Sequence, residues 1–276
     1  MPRLKTPDAG TDKQAMRTHI RVVFFSTLIA LTGSASAYAQ LPAEDHVVEL
    51  GIMFWKPSPE LILSTDTLVG AGVNEVDFVQ EFGIEDKYFP EFRATIGRTH
   101  KFRTSFVTFD YDAETIITRT ITFQGRTFTI GVPATADIYW KLYKFGYEWD
   151  FVSRERGFFG VIADLKYNRV EASIDSPALT SAASTDVTAP VPGLGVIGRG
   201  YLGRAVSITG ELTGLSLGRG EDEVKFWDFD VYGTVSAGRN FAVQGGYRSV
   251  VADYIVDEDT GDLKMKGLYF GAVVRF

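Results

Sequence analysis

Long runs of strict two-residue alternation constrain this chain more than any other feature. Within residues 157–173, Phe159, Val161, Ala163, Leu165 and Tyr167 fall on one parity, and Phe158, Gly160, Ile162, Asp164, Lys166 and Asn168 on the other. Successive side chains of a strand point to opposite faces, so this segment has one apolar face and one that carries charge. In 134–151, Tyr143, Phe145, Tyr147, Trp149 and Phe151 oppose Lys144, Glu148 and Asp150. In 241–255, Phe241, Val243 and Tyr247 oppose Gln244 and Arg248. After residue 40 the nearest approach to a helical period is the short stretch VNEVDFVQEFGI, 73–84.

The alternation predicts ten strands, at 45–56, 88–99, 101–115, 134–151, 157–173, 193–203, 205–217, 224–236, 241–255 and 263–276. The connections GRTHK, SRERG, LGRA and AGRN are short, whereas those near 57–87, 116–133, 174–192, 218–223 and 256–262 are mostly longer. Short turns at one end and longer loops at the other mark an up-and-down outer-membrane barrel. The fold expected is all-β, an antiparallel transmembrane β-barrel of ten strands. An eight-stranded barrel is the alternative if two segments are ribs of loops. A soluble barrel or sandwich would put the apolar parity inside and the charged parity in water. Two features favour the inverted arrangement. The strands reach the ~9–11 residues that a tilted strand needs to cross a bilayer, against ~5–6 in globular sheets. Aromatics also gather near strand ends, at Phe54, Trp55, Phe102, Trp149, Phe151, Phe158, Phe159, Phe226, Trp227, Phe241, Tyr269 and Phe276, as interfacial girdles require.

The N-terminal region predicts export. Arg17 and Arg21 precede the apolar run VVFFSTLIALTG, and SASAYAQ follows it. That order is a secretory signal peptide, with cleavage after Ala39 or Ala37 and with Met1 or Met16 as the start. The expected organisation is residues 1–39 as signal and 40–276 as the barrel. The full chain carries −7; loss of residues 1–39 removes five basic and two acidic residues and leaves −10. A nucleic-acid partner is disfavoured, since such binding rests on cationic surface. The chain has no Cys, so thiolate and disulfide chemistry are excluded.

The charged parity is the richest candidate site. In this register Glu49, Glu91, Arg93, Arg103, Lys144, Glu148, Asp164, Lys166, Arg199, Glu211, Asp228, Asp230 and Arg248 project into the lumen. Mixed signs at close quarters point to paired networks, because an unpaired buried charge is costly. A lining of one sign would point to an ion-selective pore instead. Ten strands enclose little more than side chains, so a plugged or narrow lumen follows. The segment 76–89 is expected to cap the outer mouth or tuck inside it.

No catalytic, cofactor or metal site is expected. Once the signal is removed the chain keeps two His, His46 and His100, both at the short-turn end. The motif GLGVIG, 193–198, matches G-x-G-x-x-G but lacks the strand-then-helix context of a dinucleotide site, so it reads as a glycine-rich strand with bulky interior neighbours. DEDTGD, 257–262, reads as a hydrated acidic turn.

The last ten residues, GLYFGAVVRF, place Leu268, Phe270, Ala272, Val274 and Phe276 on one parity. This pattern resembles the C-terminal assembly signal of bacterial outer-membrane β-barrels. Together with KLYKFGYEWDF, LKYNRVEASIDSP, GVIGRGYLG and VQGGYRS, it makes 45–276 similar to a group of small outer-membrane barrel-domain proteins that has no defined activity. The resemblance implies a Gram-negative outer-membrane location, outer-membrane lipid as surroundings and the barrel-insertion machinery as a partner that reads the final strand. It implies no activity and leaves the oligomeric state open. Three roles stand at this point: a non-catalytic structural or surface-interaction barrel, a narrow porin-like channel for small solutes, and a lipid-modifying enzyme.

Overall fold

A computed structural model of the chain describes residues 46–65, 75–177, 181–219, 222–256 and 259–276. Residues 1–39, read from the sequence as a signal peptide, and the Asp257–Glu258 part of the acidic turn lie outside the described residues. The elements in chain order are β1 (Val48–Thr65), β2 (Glu75–Asp77), α1 (Phe78–Phe82), β3 (Phe89–Gly97), β4 (His100–Ile116), β5 (Ile121–Phe123), β6 (Arg126–Phe128) and β7 (Pro133–Arg154). They continue with β8 (Gly157–Ser176), β9 (Ser181–Tyr201), β10 (Val206–Arg219), β11 (Asp222–Ser236), β12 (Phe241–Val256) and β13 (Asp259–Arg275).

Ten of these form one antiparallel sheet in the order β1-β3-β4-β7-β8-β9-β10-β11-β12-β13, which closes when β13 pairs back onto β1. The closing register runs from Glu49↔Arg275 to Thr65↔Asp259. Closure pairs the two terminal strands with each other, the condition for a sheet to exist in hydrocarbon. Both closing strands begin or end at the short-turn end, the periplasmic end of such barrels. Those turns demand unusual backbone. Gly97 has φ 123, and a Cβ there would lie 2.0 Å from the His100 carbonyl oxygen.

The outer face carries an apolar belt. It spans Tyr143–Phe151 in β7, Phe159–Tyr167 in β8, Trp227–Val235 in β11 and Leu268–Phe276 along β13. Each run is nine residues long, close to the ~9–11 of a bilayer-crossing strand.

Above the belt the pattern inverts. On β8 the outward side chains change from Leu165 and Tyr167 to Arg169, Glu171, Ser173 and Asp175, while the inward ones change from Asp164 and Lys166 to Val170, Ala172 and Ile174. On β7 the inward Lys144 and Glu148 give way to Leu142, Trp140 and Ile138. Lipid outside favours a polar interior below, and water outside favours an apolar interior above. The strands therefore continue well beyond the bilayer. Pro133–Leu142 of β7 adds ten residues, about 30 Å of strand at ~3.3 Å per residue.

This inversion corrects several boundaries. The expected loop 174–192 is a four-residue connection, since β8 runs to Ser176 and β9 starts at Ser181. The connections at 218–223 and 256–262 also shrink, and β1 extends through 57–65. Lipid-facing alternation stops at the belt, and the polar, Pro-containing stretches above it read as loop although they remain paired. Trp55, Phe158, Phe226 and Tyr269 are likewise not interfacial. They lie on the inward parity and are buried, because crowding near strand ends does not by itself assign a face.

Inside the upper half, β2, α1 and the β5–β6 hairpin form an apolar plug. Asp77 caps α1 by accepting from the Val79 and Gln80 backbone N–H groups at 3.0 Å, and Gly83 ends it in the left-handed region with φ 70. Phe78 stacks on Phe82 and meets Phe123 of β5 edge-on, with ring centroids 5.6 Å apart in the second pair. Beneath them Trp55, Phe89, Phe109, Tyr111 and Trp140 form a connected aromatic layer.

Candidate functional site

The barrel places the thirteen named charges on the inward parity of nine strands, and they are buried or half-buried. Eleven of the lumen's charges join in one chain of alternating sign, with two residues in it that sequence reasoning had not included, Lys101 and Asp150. Asp150 contacts Lys101 at 2.8 Å, and Lys101 contacts Glu148 at 2.9 Å. Glu148 meets Arg103 at 3.1 Å, Arg103 pairs with Glu211, and Glu211 accepts from Lys144 at 2.9 Å. Lys144 contacts Asp228 at 3.2 Å, and Asp228 holds Arg248 at 2.9 Å. Arg248 reaches Glu91 at 2.6 Å, Glu91 accepts from Arg93 at 2.8 Å, and Arg93 meets Asp230 at 3.0 Å. Tyr269 extends the chain by donating to Asp230 at 2.9 Å.

The remaining charges form smaller groups. Lys166 and Asp164 form their own pair at 2.6 Å, with Lys166 also donating to Thr213 at 2.9 Å. Gly193 makes room for them, since a Cβ there would lie 2.2 Å from Asp164 Oδ1 and 2.8 Å from Lys166 Nζ. Arg199 donates to Thr209 at 2.8 Å and Tyr232 at 3.3 Å. Glu49 pairs with Arg275 at 2.7 Å, next to His46 at 3.6 Å.

Arg275 is the third residue missed. With Asp150, Lys101 and Arg275 included, the seven acidic and six basic groups become eight of each. Their parity was visible in the sequence. Lys101 falls in the GRTHK turn, which hid its inward direction, and Arg275 lies among the lipid-facing residues of the final strand. The network leaves a cavity of about 60 Å³, enough for a few waters. Arg248 marks the top of the polar layer, with its guanidinium 5.0 Å from the Trp55 ring centre.

Neither described His lies near the long-connection end. His100 Nδ1 contacts Tyr147 Oη at 2.5 Å, and its ring stacks on Trp149. The upper half holds a second cavity of about 270 Å³, lined mostly by apolar side chains, with Asn168, Lys225 and Asp253 among the polar ones. Among the described residues, no group of three or more His, Cys, Asp or Glu is arranged to hold a metal ion.

No protein-family model matches the chain, and no curated protein matches it. Among solved structures it is similar to the outer-membrane protease OmpT from Escherichia coli, with a TM-score of 0.55 at 9% identity over 88% of this chain and 100% of that one. Neisserial surface protein A matches with a TM-score of 0.36 at 14% identity, over 83% of this chain and 97% of that one. The toluene transporter TodX of Pseudomonas putida matches with a TM-score of 0.31 at 6% identity, over 83% and 88%. By fold the chain is a bacterial outer-membrane β-barrel.

Proposed function

We propose that this barrel is a non-catalytic outer-membrane scaffold, closed to axial passage, whose strands above the belt present an interaction surface outside the cell. The observation that carries this reading is double closure of the lumen. A charge-balanced salt-bridge layer fills the membrane-spanning half, and the α1 and β5–β6 plug fills the half above it. Each charge of the chain touches one of opposite sign, so a passing ion would have to break contacts such as Arg248–Glu91 at 2.6 Å and Lys144–Asp228 at 3.2 Å. The non-catalytic part of the reading is supported by the placement of both described His at the periplasmic end, stacked or paired with neighbours. The protease activity in the name of OmpT stays with that protein. The lipid-facing strand Leu268, Phe270, Ala272, Val274 and Phe276 is the surface assigned here to the insertion machinery, and lipid is the partner of the belt.

Planar-bilayer recording of the refolded chain tests the closure. The expected result is no unitary conductance in molar KCl. Stable discrete openings would overturn it and favour the narrow solute channel. Altered lipid masses in membranes overexpressing the chain would overturn the non-catalytic reading and favour the lipid-modifying enzyme.

A further inference from the structure

Above the belt the barrel wall has a seam. β9 and β10 pair from Tyr201↔Ser207 up to Leu194↔Gly214, where the ladder stops. β9 nevertheless continues to Ser181, paired throughout with β8, and β10 continues to Arg219, paired with β11. The ladder ends at the sequence Pro190-Val191-Pro192-Gly193. Proline has no N–H to donate, and in a strand the N–H groups of residues two apart lie on one edge. Both missing donors therefore fall on the same edge, and the unpaired edge is the one facing β10. Pro57 and Pro59 mark the corresponding place on β1, where its pairing with β3 ends at Trp55↔Phe89 while its pairing with β13 continues. At that second gap, β2 and α1 fill the space. At the β9–β10 gap the described residues leave the 270 Å³ cavity.

That cavity is walled mainly by Val170, Val191, Phe226, Leu263 and Trp140, with Phe123 of the plug on one side; one charge of each sign, Lys225 and Asp253, also borders it, so its lining carries no net charge. One buried polar side chain sits at its membrane-side floor. Asn168 is 7% exposed; its Oδ1 accepts from Trp140 Nε1 at 3.1 Å, while its Nδ2 has only a 3.4 Å contact to the Lys166 carbonyl. An amide nitrogen carries two hydrogens, so a donor remains for an occupant. On the outer face, an apolar groove lined by Phe145, Leu165, Pro192, Leu194 and Leu215 reaches the lower end of the seam.

The geometry points to a binding site in this cavity for a neutral hydrocarbon-bodied molecule with one hydrogen-bond acceptor, entering from the lipid-facing groove through the seam between β9 and β10. The volume lies between the ~150 Å³ that holds benzene and the ~300 Å³ at which drug-sized pockets begin, so the body is about ten carbons. The site goes beyond the scaffold reading: closing the axis leaves this lateral entrance open. The hydrocarbon has two possible sources, a free small molecule or the end of a lipid acyl chain.

The probe is radiolabelled 1-naphthol, dialysed against the full chain refolded in detergent. Saturable uptake of one equivalent above the micelle background is expected. Ala189→Phe and Ala252→Leu each fill the cavity and should weaken uptake at least tenfold, with folding checked by heat-modifiable migration. If one variant does not fold, the other carries the comparison. No saturable uptake by the unaltered chain, or undiminished uptake by a folded filled variant, would overturn the site. Displacement by dilauroyl phosphatidylethanolamine would identify the acyl chain as occupant, and resistance to it a free molecule; both support the shared chemistry. Entry is tested with Pro192→Cys and Ser216→Cys, which label cleanly because the chain has no other Cys. Bridging the pair should slow uptake at least tenfold at unchanged capacity, and an unchanged rate would overturn the seam route. A chain that conducts ions yet still binds naphthol would sink the axial closure alone and leave this site standing.

Discussion

Arg248→Met should be among the most damaging single changes in the barrel interior. The side chain is 2% exposed and makes three charge-assisted bonds. Nε and Nη2 donate to the two Asp228 oxygens at 2.9 Å each, and Nη1 donates to Glu91 at 2.6 Å. At ~1.5–3 kcal/mol for a bond to a charged group, the three would sum to roughly 5–9 kcal/mol if independent. They are not independent, because Glu91 keeps Arg93 and Asp228 keeps Lys144 after the change. Breaking one partner out of a buried pair costs ~3–5 kcal/mol, and that is the expected loss. Arg248→Lys keeps the charge but not the two-pronged grip on Asp228, so it should cost about 1–2 kcal/mol. The double change Arg248→Met with Asp228→Asn removes one stranded carboxylate and should recover at least ~1 kcal/mol relative to additivity. Urea unfolding in phospholipid vesicles, read by tryptophan fluorescence and heat-modifiable migration, measures all three. An Arg248→Met barrel within about 1 kcal/mol of wild type at unchanged m-value would refute the claim that the network holds the lumen closed.

Leu165→Arg puts a cation on the belt and should cost ~2–4 kcal/mol in vesicles; folding as efficient as wild type would mean that the assigned outer face is wrong. Phe276→Ala should lower outer-membrane abundance in cells while detergent refolding stays near normal, because the backbone bonds of residue 276 to Val47 and Val48 remain; equal abundance would leave Phe276 an ordinary interfacial aromatic. Asp253 lies above the belt, where burial first and then the facing Asp262 raise its pKa above the ordinary carboxylate value. A raised carboxyl favours the folded state at low pH and loses that advantage as pH climbs through its folded pKa. Asp253→Asn should therefore match wild type near pH 3 and exceed it at pH 7 by a few tenths of a kcal/mol at this exposure, ~0.2–1 at most; lower stability at pH 7 would contradict the repulsion.

The sequence by itself determined which residues share a face. Leu165 and Asp164 are neighbours whose opposite directions follow from strand geometry alone, and the nine-residue apolar runs that meet lipid are local patterns. Strand number followed for the same reason, since each of the ten barrel strands contains a stretch that crosses the bilayer. Tertiary structure alone decided which solvent each stretch meets. Alternation in Lys166–Asn168 and in Val170–Ile174 is equally regular, yet apolar side chains face lipid in the first region and the interior in the second. Only closure at a given height separates lipid from water outside. The pairings were equally out of reach. Arg248 and Glu91 lie 157 residues apart and meet across the lumen because β12 and β3 curve around it. The seam stands between these cases. Pro190 and Pro192 stated in the sequence that one strand edge lacks donors, but only the register of β9 against β8 and β10 placed that edge beside an apolar cavity.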